Sequence, residues 1–147
     1  MGRVAVGVLT AVLVLTGCGG GLYQFPTDPG TATSCRSLVS SLPDLVADQQ
    51  STPVDSPRVA AWGDPRIVLR CGVRPPPELG PTSRCDDVNG VGWFTQKRDG
   101  GGRLFTTIGR DPDVSVEVPA TYQPAAAALI DVADAITTGS TATDPCV

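Results

Sequence analysis

The chain has 147 residues and no histidine, and its 15 acidic residues outnumber the 11 basic ones, for a formal net charge of −4. This balance argues against a nucleic-acid partner, because such proteins need a basic surface to contact phosphates. Without histidine there is no Ser-His-Asp or Cys-His catalytic site and no His-ligated zinc. The length suits one domain, and 17 glycines and 14 prolines with 5% aromatic residues predict many turns and a small core.

The first 17 residues are organised as a signal peptide. Arg3 precedes an apolar run over residues 4–15, which has the length of a signal-peptide core and is too short to span roughly 30 Å of hydrocarbon. The run ends in Leu15-Thr16-Gly17-Cys18, which resembles the lipobox of bacterial lipoproteins. The resemblance implies that residues 1–17 are removed and that a diacylglyceryl group on Cys18 holds the protein in membrane lipid, at the extracytoplasmic face of the cell membrane. An ordinary secretory signal and an uncleaved anchor are the alternatives.

The rest of the chain divides into a tether and one domain. Residues 18–33 are predicted to consist of the lipidated Cys18 and a flexible tether with a mean reach of roughly 20 Å. Residues 34–147 are predicted to fold as a single extracytoplasmic domain.

Four of the five cysteines follow Cys18. In an oxidising compartment this even number favours two disulfides, for which three pairings are possible. We favour Cys71–Cys85, which closes a proline-rich loop, and Cys35–Cys146, which joins the start of the domain to its end. The alternative is free thiols. A zinc site is disfavoured because the cysteines lack paired Cys-x-x-Cys spacing.

The domain predicts a short N-terminal helix followed by a series of strands. Ser34 is a suitable cap for a helix that continues to Leu42 and ends at Pro43. The last of the extended segments alternates valine with polar residues, which is typical of a half-buried strand. The predicted extended segments are residues 45–47, 59–62, 67–71, 93–97, 104–108 and 113–118.

The connections and a final helix complete the predicted fold. Residues 49–57 and the proline-rich residues 74–83 predict loops, and the glycine-rich residues 98–103 predict a hairpin connection. Pro124 opens a helix with an apolar stripe that runs to about Thr137. Together these elements predict an α+β fold with two disulfides. In it, the short N-terminal helix and the C-terminal helix pack on an antiparallel sheet of four or five strands.

No pattern in the chain predicts a catalytic residue, a cofactor or a metal. The adjacent Asp86 and Asp87 would point to opposite faces of a strand, which makes them a poor acid–base pair. Asp111, Asp113 and Glu117 lack the ligand spacing of an EF-hand calcium loop.

Four residues are candidates for binding a ligand, namely Arg70, Arg110, Trp62 and Trp93. Arginine can bind an anion through two parallel hydrogen bonds, and tryptophan can line a groove. The simpler interpretation is that the arginines form internal salt bridges, for example with Asp64 or Asp86, and that the tryptophans pack in the core.

Several motifs occur in an order that resembles a known family. They are Ala61-Trp62-Gly63-Asp64-Pro65, Ile67-Val68-Leu69-Arg70-Cys71-Gly72-Val73, Cys85, Val88-Asn89-Gly90-Val91-Gly92-Trp93, Thr107-Ile108-Gly109-Arg110 and residues 114–119. Together they resemble the actinobacterial domain of unknown function 3515, over roughly residues 34–146. The chain departs from that family at Gly92, where the family often has an acidic residue, and at Ile108, where it often has an aromatic one. The resemblance implies an envelope protein and no assigned activity.

We therefore expect a non-enzymatic lipoprotein of the cell envelope that acts as an interaction or accessory module for an unknown envelope protein. One alternative is a binder of a small anionic envelope ligand, through Arg70, Arg110, Trp62 and Trp93. A more remote alternative is a hydrolase that uses carboxylates alone, whose two carboxyl groups would face each other across a cleft.

Overall fold

The structure is a computed structural model that describes residues 25–144 and residue 146. These residues form ten strands and two α-helices. In chain order they are α1 (Ala32–Ser40), β1 (Leu45–Val46), β2 (Gln49–Thr52), β3 (Val59–Trp62), β4 (Ile67–Cys71), β5 (Asp86–Val88), β6 (Val91–Lys97), β7 (Arg103–Thr107), β8 (Arg110–Asp111), β9 (Val114–Val118), α2 (Ala126–Gly139) and β10 (Thr141–Ala142).

Eight of the strands form one antiparallel sheet. Its order is β1-β2-β3-β4-β9-β7-β6-β5, and β8 pairs with β10 in a separate two-stranded sheet. The predicted α+β fold with a sheet of four or five strands is therefore wrong, because the described chain is mostly sheet with two helices. The unpredicted strands β2, β5, β8 and β10 have two to four residues each and are mostly polar. They therefore lack the β-branched and alternating pattern that identifies a strand in a sequence.

One face of the large sheet is covered by both helices and forms the main core. Ile67 and Leu69 of β4 lie there, in one buried cluster with Leu129, Val132 and Ile136 of α2. Because side chains alternate across a strand, the residues between these core positions lie on the opposite face of the sheet.

The opposite face, hereafter the outer face, has no helix over it in the described part of the chain. It carries a small apolar cluster of Val59, Ala61 and Val68, against which Phe25 and Val54 pack. Toward β9, β7 and β6 the outer face is more polar, and this is the part of the fold that holds the candidate site.

Both predicted helices are present, but their first residues differ from the prediction. α1 begins at Ala32, so Ser34 lies inside its first turn and does not cap it. α2 begins at Ala126, two residues after Pro124, and ends at Gly139. Within residues 25–144 and residue 146, neither helix combines the length and apolarity that crossing a membrane requires.

The four cysteines after Cys18 form two disulfides, but the pairing that we favoured is wrong. Cys35 of α1 is bonded to Cys71 at the end of β4, and Cys85 before β5 is bonded to Cys146. The Cα atoms are 5.4 Å apart in the first pair and 5.8 Å apart in the second. A Cys71–Cys85 bond is excluded by the sheet order, because β4 and β5 are separated by four strand spacings, or roughly 19 Å. A disulfide joins Cα atoms less than about 7 Å apart.

Candidate functional site

The outer face of the sheet holds a groove of about 540 Å³. Its floor is formed by side chains of four strands, and one wall is formed by the segment before α1 together with the proline-rich loop after β4. The floor residues are Arg70, Gln96, Leu104, Thr106 and Ser115, Arg98 lies at one end, and the wall residues are Phe25, Pro26 and residues 73–77. We call this surface the arginine groove.

The register of neighbouring strands assembles the floor. Arg70 of β4 pairs with Ser115 of β9, and Ser115 pairs on its other side with Thr106 of β7, so these three side chains form a row. Leu104 of β7 and Gln96 of β6 pair with each other in the next row. All five positions point away from the helices because each alternates with a core position.

Three arginines line the arginine groove, Arg70, Arg74 and Arg98, and among the described residues no carboxylate lines it. This arrangement is unusual in a chain whose net charge is −4. Arg74 is exposed and forms no ion pair with another described residue. Arg74 and Arg98 were not predicted from the sequence, because both lie in loops, where an arginine is normally solvated and no spacing distinguishes it.

Glu117 of β9 lies beside the groove, between two of its arginines. Its Oε2 is 3.0 Å from Nη1 of Arg70, and its Oε1 is 3.7 Å from Nε of Arg98. The internal salt bridge expected for Arg70 is present, but the partner is on the neighbouring strand rather than Asp64 or Asp86. The side chain of Arg70 is 11% exposed and that of Arg98 is 49% exposed, so Arg98 keeps more of its surface for a ligand.

The floor also contains polar groups whose hydrogen-bonding capacity is unused within the described chain. Thr106 and Ser115 are buried, and their hydroxyls bond to no other described residue. Gln96 donates from Nε2 to Oε2 of Glu78 at 3.3 Å, while its buried Oε1 has no partner there. Guanidinium donors beside free hydroxyls suit an oxyanion such as a phosphate or a carboxylate.

A second depression, of about 610 Å³, adjoins the arginine groove at the turn between β6 and β7. It shares Arg98 with the groove, and Glu117, Asp64, Arg66 and Asp99 also line it. Because its charges have both signs, it offers no preference for an anion or a cation. The arginine groove is therefore the stronger candidate site.

Neither candidate tryptophan reaches the groove. Trp62 and Trp93 are fully buried on the helix-covered face of the sheet. Trp62 donates from Nε1 to the carbonyl of Pro43 at 3.0 Å, and Trp93 meets the ring of Phe105 edge-on, with centroids 6.4 Å apart. These contacts place both rings in core packing.

Arg110 joins the turn between β5 and β6 to the end of α2. Its Nη2 donates to the carbonyl of Gly90 at 2.9 Å, and its Nη1 donates to the carbonyl of Ser140 at 3.4 Å. Arg110 is absent from the lining of the arginine groove, as are both tryptophans. Of the four residues proposed from the sequence, Arg70 alone lines it.

Asp113, between β8 and β9, is a partly buried carboxyl outside the groove. The pKa of Asp113 is raised from 3.8 to about 6, mainly because the carboxyl is buried away from solvent. The negative charge of Asp111 also raises this pKa. A hydrogen bond from Oγ1 of Thr107 to Oδ1 of Asp113, at 2.9 Å, opposes the rise in pKa. Among the described residues, no three cysteine, aspartate or glutamate side chains are grouped so that they could hold a metal ion.

The predicted lipidation site, Cys18, lies outside the described residues, as do residues 1–17 of the predicted signal peptide. The acylation of Cys18 therefore stays a prediction.

Comparison with known proteins identifies a family. A search among curated proteins and a search among solved structures each returned no match. The family model described as "Protein of unknown function (DUF3515)" matches residues 3–145. This match agrees with the resemblance drawn from the sequence motifs. The chain therefore belongs to the DUF3515 family.

Proposed function

We propose that this protein is a lipoprotein held at the extracytoplasmic face of the cell membrane by acylated Cys18, and that its domain is a non-enzymatic module that binds an anionic ligand of the cell envelope. The observation that carries the proposal is the arginine groove, which is lined by Arg70, Arg74 and Arg98 in an acidic protein and has Glu117 beside it as the carboxylate paired with Arg70 and Arg98.

The cysteine pairing supports the lipid anchor. The two disulfides use Cys35, Cys71, Cys85 and Cys146, which leaves Cys18 as the one cysteine of five without a cysteine partner. A thiol that takes no part in the fold's cross-links is available for acylation. The lipobox resemblance at residues 15–18 supports the same assignment.

The groove suits an anion because it combines exposed guanidinium donors with buried hydroxyl donors. Arg74 and Arg98 are exposed at its rim, where each guanidinium can offer two parallel hydrogen bonds to an oxyanion. Ser115 and Thr106 offer hydroxyls from the floor. Hydrogen bonds to a charged group contribute about 1.5–3 kcal/mol each, so two arginines suffice for a measurable affinity.

A hydrolase that uses carboxylates alone is not favoured. Glu117 is ion-paired with two groove arginines, and each of its oxygens faces a guanidinium, from Arg70 and from Arg98. Both of its oxygens are therefore engaged in ion pairs, and among the described residues no second carboxylate lines the groove to face it, as a two-carboxylate mechanism requires.

The test of the anion site uses the lipoprotein purified in a neutral detergent and titrated with inorganic phosphate in low-salt buffer. Arg74→Ala/Arg98→Ala is expected to weaken binding about tenfold or more. The matched control is Arg36→Ala/Arg84→Ala, which removes two exposed arginines outside the groove. Phosphate binding that is equal in both double variants would reject the groove as the site.

The test of the anchor is mass spectrometry of the protein extracted from membranes, with Cys18→Ser as the comparison. We expect an acylated N-terminal Cys18 in the wild type and loss of membrane retention in the variant. An unmodified N-terminus downstream of Cys18 would rule out lipid anchoring.

A further inference from the structure

The chain enters its domain along the wall of the arginine groove. Phe25 packs on the apolar cluster of the outer face, and Phe25 and Pro26 line the groove. Thr27 then forms a bridge with Val73, and the main-chain N–H of Asp28 donates to the carbonyl of Gly72 at 2.8 Å. The entry point of the chain is therefore fixed to the same loop that carries Arg74.

This entry point limits how far the groove can lie from the proposed anchor. Seven peptide units separate Cys18 from Phe25. Fully extended, they span at most about 25 Å. If Cys18 is acylated, the wall of the groove cannot move farther than this from the headgroup layer of the membrane. Small movements of the domain toward the membrane then bring the groove arginines within a Debye length, about 8 Å, of lipid phosphates.

The composition of the groove matches an amphipathic anion rather than a fully polar one. Pro75, Pro76 and Pro77 form its wall with Phe25, and Leu104 lies on its floor. Proline has no main-chain N–H, so this wall offers apolar contact without hydrogen-bond donors. The donors come from the arginines, and a phospholipid presents the same combination of a phosphate beside an apolar glycerol ester and acyl chain.

The distribution of charge favours an orientation in which the arginine groove faces the membrane. The outer face presents Arg74 and Arg98 at the groove. The helix-covered side exposes Asp131 and Asp134 of α2. An anionic bilayer therefore attracts the exposed arginines of the groove and repels the exposed carboxylates of α2.

We propose that the arginine groove binds the headgroup of an anionic phospholipid in the membrane that anchors Cys18. This proposal rests on the function proposed above, because it uses both the anchor and the anion site. Binding would fix the domain against the membrane by a second contact and would direct α2 outward.

The test compares soluble short-chain lipids with free anions. The lipoprotein in neutral detergent is titrated with dihexanoylphosphatidylglycerol, dihexanoylphosphatidylcholine, glycerol 1-phosphate and inorganic phosphate. We expect the phosphatidylglycerol to bind about tenfold more tightly than either free anion, and the phosphatidylcholine to bind weakly, because its phosphate is neutralised by choline. Arg74→Ala/Arg98→Ala should remove the preference for phosphatidylglycerol, and Arg36→Ala/Arg84→Ala should keep it.

A second measurement uses the lipoprotein reconstituted into vesicles. In vesicles that contain phosphatidylglycerol, amide exchange in residues 70–74 should be slower than in vesicles of phosphatidylcholine alone. Arg74→Lys/Arg98→Lys keeps the charge but loses the two-pronged geometry, and it should show an intermediate affinity.

The outcomes separate the two proposals. Groove-dependent binding of inorganic phosphate, without tighter binding of phosphatidylglycerol and without protection in anionic vesicles, overturns the headgroup assignment and keeps the anion site. Phosphatidylglycerol binding that the Arg74→Ala/Arg98→Ala variant retains also overturns the assignment. Failure of every anion to bind overturns the anion site itself.

Discussion

Arg70 of β4 and Glu117 of β9 lie side by side on the outer face of the sheet, with Nη1 and Oε2 3.0 Å apart. The pair is diagonal in the ladder, since Arg70 is directly opposite Ser115 and Glu117 is opposite Val68. Glu117 thereby holds Arg70 in the floor of the groove and places one negative charge next to Arg70 and Arg98. The same carboxylate therefore acts on stability and on anion affinity in opposite directions.

Glu117→Gln separates these two effects. The variant leaves the half-buried guanidinium of Arg70 without its carboxylate, and we expect the free energy of unfolding to fall by about 1–2 kcal/mol. It also raises the positive potential of the groove, so phosphate should bind more tightly. Denaturant unfolding and calorimetric titration measure the two quantities on the same protein.

The control for Glu117→Gln is Asp99→Asn, which removes the same charge from an exposed turn. Stability should be nearly unchanged in this control. A Glu117→Gln variant that is as stable as Asp99→Asn, or that binds phosphate more weakly than the wild type, would contradict the role assigned to Glu117.

Gly92 lies directly against the Cys85–Cys146 disulfide. A Cβ atom at residue 92 would contact Sγ of Cys146 and would lie 2.9 Å from Sγ of Cys85. We expect Gly92→Ala to displace the disulfide and lower stability by about 1–3 kcal/mol through overpacking. Thermal unfolding and thiol titration of the native protein measure the change.

The matched control is Gly80→Ala, at an exposed loop position where the added Cβ meets nothing within 4 Å. This control should leave the melting temperature and the thiol count unchanged. If Gly92→Ala behaves like Gly80→Ala, the close packing of the sulfur atoms on Gly92 is not a constraint on the fold.

The strands that the sequence predicts well are the apolar, β-branched ones. The predicted segments 59–62 and 67–71 coincide with β3 and β4, because turn-forming Gly63 and Pro65 separate two apolar runs. β2 consists of Gln49–Thr52, which no hydrophobic pattern marks. Its pairing with β3 comes from tertiary contact, and strand order in general depends on such non-local contacts.

The candidate site shows the same division between local and non-local information. Arg70 could be found from the sequence, because a charged residue inside an apolar strand needs a partner. Arg74 and Arg98 could not, because they are 24 residues apart in loops and line the same groove only because β9 and β7 lie between β4 and β6 in the sheet. The tryptophans lie in the core, which was the simpler interpretation of the sequence, because of their size and apolarity.

The two disulfides should differ in their access to a reductant. Cys35 and Cys71 are fully buried, whereas Cys85 and Cys146 are partly exposed. Chain entropy gives the two bonds similar stabilisation, about 4 kcal/mol each, so access rather than loop size should decide the order. Under native conditions, mild reduction and alkylation should label Cys85 and Cys146 first.

Peptide mapping after alkylation identifies the labelled cysteines. Cys35 and Cys71 should become reactive together with global unfolding, at the denaturant concentration of the main transition. Labelling of Cys35 before Cys146 would contradict the burial that the structure assigns to the first disulfide.

Asp113 should make stability depend on pH. Burial raises its pKa to about 6 in the folded protein, so folding favours the protonated carboxyl. The associated stability is complete below the ordinary aspartate pKa of 3.8 and is lost as the pH rises through about 6. Asp113→Asn stays neutral and keeps an oxygen that can accept the hydrogen bond of Thr107. We expect the variant to be more stable than the wild type at about pH 8, by about 1 kcal/mol after allowance for solvent screening of a partly buried group.

The difference between wild type and Asp113→Asn should shrink toward zero as the pH falls below about 4, because both side chains are then neutral. Denaturant unfolding at a series of pH values measures the difference, and Asp99→Asn, at an exposed carboxylate, should show no such trend. The sign is the discriminating feature, since a carboxylate stabilised by a salt bridge would make the asparagine variant weaker at high pH. A variant that is less stable at about pH 8, or a difference that stays constant across the series, would show that the ionised form of Asp113 is not disfavoured by the fold.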